Sequence, residues 1–229
     1  MRLGKAAGPA ARVALPLLVL AGGVFAFEPR AGLLHELVAG LLVSLALALW
    51  RPDRWWLALV PLALALAVRE LALPFALLWL AFAIAGRRWR EAAAVAGLTG
   101  FFALGLVLHA EGVAAHASPL DRASPGWAGL AGPQLALLSL SRLSAMLVLP
   151  LTVAAPLGVL ALLGWIGLGG RFGLFASLWF AGFALALALL ARPANFYWVM
   201  LVLPAYMAGL ALVPRALGDL VHSVRTSQS

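Results

Sequence analysis

A few ionisable groups set among long apolar runs are the residues of this chain best suited to chemistry. Arg69 and Glu70 stand together between two such runs, and His35 and Glu36 open another. Glu28 sits in a short polar gap before Pro29 and Arg30. A carboxylate in apolar surroundings can deprotonate a hydroxyl, or hold a divalent cation beside a phosphate. An arginine offers a planar fork that grips phosphate through paired hydrogen bonds. Glu36 and Glu70 are the candidate bases or cation ligands, with Glu28 a third. Arg69, Arg142 and Arg192 are the candidate phosphate holders, and His35, Asn195 and Tyr197 are further candidate substrate contacts. His109, Glu111 and His116 form a weak metal-like pattern, and Asp121-Arg122 reads as a solvated loop pair. The metal ligands are left unassigned. Phosphate-binding glycine loops, HExxH and nucleophile elbows are absent from the sequence. Each candidate also has a plainer reading. Arg69-Glu70 can cap a hairpin whose charges reach water, and Asn195 and Tyr197 can belong to an interfacial belt.

The background explains why these few charges matter. Hydrophobic residues make up 65% of the chain and charged residues only 10%, against about 25% charged in a soluble domain. The apolar runs are continuous and lack the two-residue alternation of a barrel strand, so an all-α polytopic membrane protein is expected. The net charge of +8 does not point to nucleic acid, because the basic residues cluster at the ends of apolar runs, as membrane topology requires. There is no cysteine, which excludes disulfides, thiolate metal sites and cysteine catalysis. Trp50, Trp55, Trp56, Trp89, Trp127 and Trp198 all flank apolar runs, as belt tryptophans do.

Taken in order, the runs predict about eight spans: 13–27, 31–50, 55–68, 71–86, 91–108, 145–168, 172–191 and 198–214. The basic residues 1–12 and the run after them also resemble a signal peptide, with residues 24–26 as its cleavage site; a retained first span is the preferred reading. The stretch 55–90 is the ambiguous one. Its two apolar runs, broken by Arg69-Glu70, are about 21 and 24 Å long as helices, against a hydrocarbon core of about 30 Å. It is therefore one over-long helix or a tight hairpin. A hairpin puts Arg2, Lys5, Arg12, Arg51, Arg54, Arg87, Arg88, Arg90, Arg171, Arg215 and Arg225 inside. That is eleven of the sixteen basic residues, and the positive-inside rule selects it. Both termini are then cytoplasmic. Residues 1–229 form one transmembrane domain, with tails at 1–12 and 215–229 and an outer loop at 109–134. An amphipathic segment at 135–144 is expected to lie along the interface. Gly97 and Gly100 are expected to allow close helix contact, and Pro150 and Pro156 to kink their span. Glu28, Glu36, Glu70, Glu111 and Asp121 fall on the outer face with His35, His109 and His116. Asp53, Glu91 and Asp219 fall inside and carry no assigned role.

Four segments carry a family resemblance: HELVAGLL at 35–42, RPDRWW at 51–56, RELALPFALLWLAFAIAGRRWREAAA at 69–94 and RPANFYWVMLVLPAYMAGLAL at 192–212. They resemble bacterial integral-membrane glycosyltransferases of the GT-C type, of the protein-O-mannosyltransferase and aminoarabinose-transferase group. The resemblance covers most of the chain, in patches. It implies a multi-pass protein of the bacterial inner membrane that takes a sugar from a polyprenyl-phosphate carrier at the outer face, often with a divalent cation such as Mg²⁺ or Mn²⁺. It implies that His35, Glu36, Arg69 and Glu70 are donor-side or structural site residues. Such enzymes usually carry an acidic motif in the first outer loop, where this chain has only Glu28-Pro29-Arg30. A truncated or divergent member lacking the catalytic amino-terminal part is expected, and a partner membrane protein is a further candidate. The rival readings are a transporter or lipid-carrier translocase, and a non-catalytic assembly subunit.

Overall fold

The computed structural model describes residues 2–118, 121, 126, 127 and 129–227. It is all-α, with no strand among the described residues. Among the described residues ten α-helices follow in order: α1 Arg2–Gly22, α2 His35–Leu49, α3 Trp56–Val68, α4 Leu73–Ala85, α5 Trp89–Ala115, α6 Pro133–Arg142, α7 Leu151–Gly167, α8 Gly170–Leu190, α9 Leu203–Met207 and α10 Val213–Ser227. Short 3-10 segments join several of them, including Glu70–Ala72, Pro193–Leu201 and Ala208–Leu212.

Among the described residues two helices, α5 and α8, are long and apolar enough to cross a membrane. A third is obtained if the bent pair Pro193–Leu201 and Leu203–Arg225, which meet at 68°, counts as one span. The other expected spans are apolar helices too short to meet that length. Their ends have local causes. Pro74 stands in the first turn of α4, where its missing N–H costs no helical bond and its fixed φ suits a new helix start. Pro150 likewise stands just before α7, after a separate 3-10 turn at Ala145–Val148.

The stretch 55–90 folds back on itself. Trp50 precedes α3 and Glu91 follows α4, yet the two are hydrogen-bonded at 2.9 Å. A single continuous helix would hold them far apart, so α4 must return alongside the α2–α3 pair. Helix α3 packs chiefly on α2, and α4 on α5 and α8. Aromatic contacts knit α4 to α8: Phe75 meets Phe175 and Trp179 edge-on at 5.2 Å, and Phe82 meets Phe175 at 5.3 Å.

The carboxy-terminal helices are bound by close backbone approach. A Cβ on Gly164 of α7 would enter the backbone of Gly209, and one on Gly209 the backbone of Ala161 in α7. Gly40 of α2 meets the backbone of Met200 and Leu201 in the same way, and Gly22 of α1 that of Leu203. Tyr206 donates to the Gly158 carbonyl at 2.7 Å, and Trp165 Nε1 donates to the Tyr206 carbonyl at 3.1 Å. Those bonds tie α7 to the broken 193–212 segment, whose interrupted helix must satisfy its backbone locally.

Four expectations are corrected here. Gly97 and Gly100 meet no neighbour within 4 Å; they lie on α5, whose second half stands clear of the bundle, with Phe101 77% exposed. The expected loop 109–134 is helical as far as Ala115, so His109 and Glu111 lie on α5. Segment 135–144 is largely helix α6, and it buries Leu135, Ala136, Ser139, Leu140 and Ser141 against α7 and α8. Its serines donate back to carbonyls one turn earlier, which makes their burial tolerable. The tail from 215 lies within α10, whose Leu217, Leu220, Val221 and Val224 recur at helical spacing and are exposed.

Candidate functional site

Three helix ends meet where the chain reverses. Glu36 lies in the first turn of α2, Arg69 caps the carboxy end of α3, and Glu70 opens the turn before α4. Each charge has the sign that its helix end favours. Arg69 Nε lies 2.8 Å from Glu36 Oε1, and its Nη1 lies 3.4 Å from Glu70 Oε1. The Glu36 side chain is only 7% exposed, Arg69 26% and Glu70 39%. The burial is therefore graded: an ion pair faces inward and a second carboxylate sits at the rim. With one guanidinium between two carboxylates, the triad has a formal charge of −1. It is better suited to accept a proton or face a cation than to hold a phosphate.

The other candidate residues do not join this triad. His35 is exposed beside Glu36, and Glu28 is exposed in the turn before α2. Arg142 is exposed at the last turn of α6. Arg192 is half-buried, with its Nε buried and without a hydrogen-bond partner. Asn195 is buried and caps a turn: its Oδ1 accepts from the Arg192 N–H at 3.2 Å, and its own N–H donates to the Arg192 carbonyl. Tyr197 is half-buried and lies edge-on to Phe196. Among the described residues, no three His, Asp or Glu side chains gather to hold a metal, and His109, Glu111 and His116 do not converge. Arg122 lies outside the described residues.

A second charged centre, unassigned from sequence, occupies the opposite end of the same helices. Glu91, in the first turn of α5, is 1% exposed. Its Oε1 accepts from Trp50 Nε1 at 2.9 Å and from Trp79 Nε1 at 2.5 Å, and Arg88 Nη1 lies 2.7 Å from its Oε2. The Arg88 guanidinium also stands over the Trp50 ring, 5.1 Å from its centroid. Arg88 and Arg171 both donate to the Phe82 carbonyl at the end of α4, at 3.3 and 2.9 Å. A cavity of about 30 Å³, walled by aromatic rings and by these two arginines, lies alongside. One sequence signal pointed to this centre: Trp79 stands deep in an apolar run, where its N–H needs an acceptor.

No protein-family model, curated protein or solved structure matches the chain. What the chain shows of its class is an all-helical protein with two or three helices long and apolar enough to cross a membrane.

Proposed function

We propose that the chain is a multi-pass protein of a bacterial inner membrane, with about eight spans and both termini cytoplasmic. It acts on a polyprenyl-phosphate-linked sugar at the outer face, where Glu36, Arg69 and Glu70 lie. The observation that supports this reading is the graded triad: an almost buried glutamate held by an arginine at a helix break, with a second glutamate at the rim. Ionisable groups recessed among apolar helices are costly and are retained mainly at functional sites.

In the proposed reaction an acceptor hydroxyl attacks the anomeric carbon of the sugar. The bond from that carbon to the phosphate oxygen breaks, and the hydroxyl proton passes to a carboxylate. Glu70, the looser and more exposed partner, is the base. Glu36 is a positioning residue that acts through Arg69. Arg192, which forms no ion pair among the described residues, is a better phosphate holder than Arg69, which holds two carboxylates, with Arg142 the alternative. Two carboxylates turned toward one arginine are a thin ligand set for a divalent cation, so no step is routed through one.

The test is sugar transfer from a radiolabelled polyprenyl-phosphate donor in purified proteoliposomes, with and without Mg²⁺ or Mn²⁺. Transfer that falls by about 10²-fold or more in Glu70→Gln supports the assignment. Donor retention without transfer points instead to a carrier-binding subunit. Neither retention nor transfer removes the proposal. The assembly-subunit reading has one observation in its favour: Phe101, Leu104 and Leu108 are exposed on the free half of α5.

A further inference from the structure

We infer that the end of the bundle carrying Glu91 holds the phosphate of an anionic phospholipid headgroup, in a groove between residues 52–55 and residues 87–91. This does not depend on the reading of the Glu36 end. The groove is open, with a volume of about 410 Å³; Trp55, Arg87, Arg88, Trp89, Arg90 and Glu91 line it. Glu91 is the only carboxylate in its lining, and it is already engaged by Arg88 and two indoles. Arg87 and Arg90 are exposed, and neither forms an ion pair among the described residues. The groove therefore presents two uncompensated guanidinium groups. Guanidinium binds phosphate through paired hydrogen bonds, and basic clusters at a membrane face draw acidic headgroups. Trp89, 63% exposed, is the amphipathic kind of ring that settles at headgroup depth.

The backbone adds an independent observation. Helix α4 ends with the Arg88 N–H donating to the Ala83 carbonyl at 2.9 Å and the Arg87 N–H donating to the Ile84 carbonyl at 2.8 Å. The residue that makes such a turn is usually glycine, because it is left-handed. Here Arg87 takes that conformation, with φ 53°. The neighbouring glycine is Gly86, where a Cβ would crowd the Arg171 guanidinium. A costly arginine stands where glycine would be easier, and residues held in sparsely populated backbone regions cluster at ligand clamps.

A purely topological role for these arginines makes a different prediction from a groove, because Arg51 and Arg54 sit at the same end but do not line it. The purified full chain is titrated in neutral detergent with phosphatidylglycerol, phosphatidylcholine or inorganic phosphate, and retained lipid is counted by native mass spectrometry. The expected result is preferential retention of phosphatidylglycerol, weakened on the order of tenfold in the double variant Arg87→Gln, Arg90→Gln, and unchanged in Arg51→Gln, Arg54→Gln. Arg87→Gly is expected to raise the thermal midpoint while lowering retention, which a merely structural arginine would not do. Equal losses in the two double variants overturn the groove in favour of diffuse charge. Competition by inorganic phosphate as strong as that by the lipid overturns the lipid assignment. A more stable Arg87→Gly with undiminished retention overturns the role of Arg87.

Discussion

The two charged centres of α2–α5 use similar parts and reach opposite states. At one end Arg69 joins Glu36 and Glu70; at the other, Arg88 joins Glu91. Glu91 is closed off: it takes two indole N–H groups and an arginine, and is 1% exposed. The donors come from the carboxy end of α2, the body of α4 and the start of α5, so the carboxylate acts as a clasp on three elements. The Arg69 centre is ion-paired with Glu36 on its inner side and open at Glu70. A carboxylate shut away at 1% exposure is out of a ligand's reach, whereas one at a 39% exposed rim can exchange partners. The difference teaches that charge buried in an apolar bundle is not in itself a sign of chemistry. What separates the two centres is how far their carboxylates can be reached from outside.

That comparison can be broken by mutation. Glu91→Ala leaves Arg88 and two indoles without their acceptor, and should cost about 3–5 kcal/mol of stability, read by thermal or denaturant unfolding in detergent. Trp79→Phe removes one hydrogen bond to a charged acceptor and should cost about 1.5–3 kcal/mol. Glu36→Gln should cost less, about 1–2 kcal/mol, because Arg69 keeps Glu70 and some water, but it should reduce any activity or carrier retention out of proportion to that loss. Glu70→Gln should change stability by at most about 1 kcal/mol. If Glu36→Gln proves as destabilising as Glu91→Ala, the contrast between clasp and open site fails. Gly97→Leu, on the free face of α5, should stay within about 0.5 kcal/mol.

The sequence made the apolar runs, the reversal at Arg69 and the helix break at Pro150 legible, because each rests on local chemistry. It also put Glu36, Arg69 and Glu70 on one face, through the count of arginines. The role of Glu91 was not legible. Its nearest charges in sequence are the arginines just before it, which read as a topology signal, while one of its partners, Trp50, lies 41 residues away and reads as an ordinary belt residue. Glycines were ambiguous for a similar reason. Gly97 and Gly164 look alike in sequence, but only Gly164 meets another backbone, and which glycine faces a neighbour depends on how helices pair. Helix α10 was legible in principle, since positions 213, 217, 220, 221 and 224 repeat at helical spacing. Reading the segment only as polar hid that period.

The shortness of the hairpin has one further consequence. Helices α3 and α4 each span 13 residues, or about 20 Å. Were the pair to span a bilayer as proposed, it would fall short of a core of about 30 Å. Either the leaflets draw together around it, or water reaches down to Arg69. Acyl-chain length then becomes a control on the Arg69 centre: short-chain lipids should seal it, and long-chain lipids should flood or strain it. The thickness of the host membrane would set how wet that centre is, with no change in the protein's own contacts.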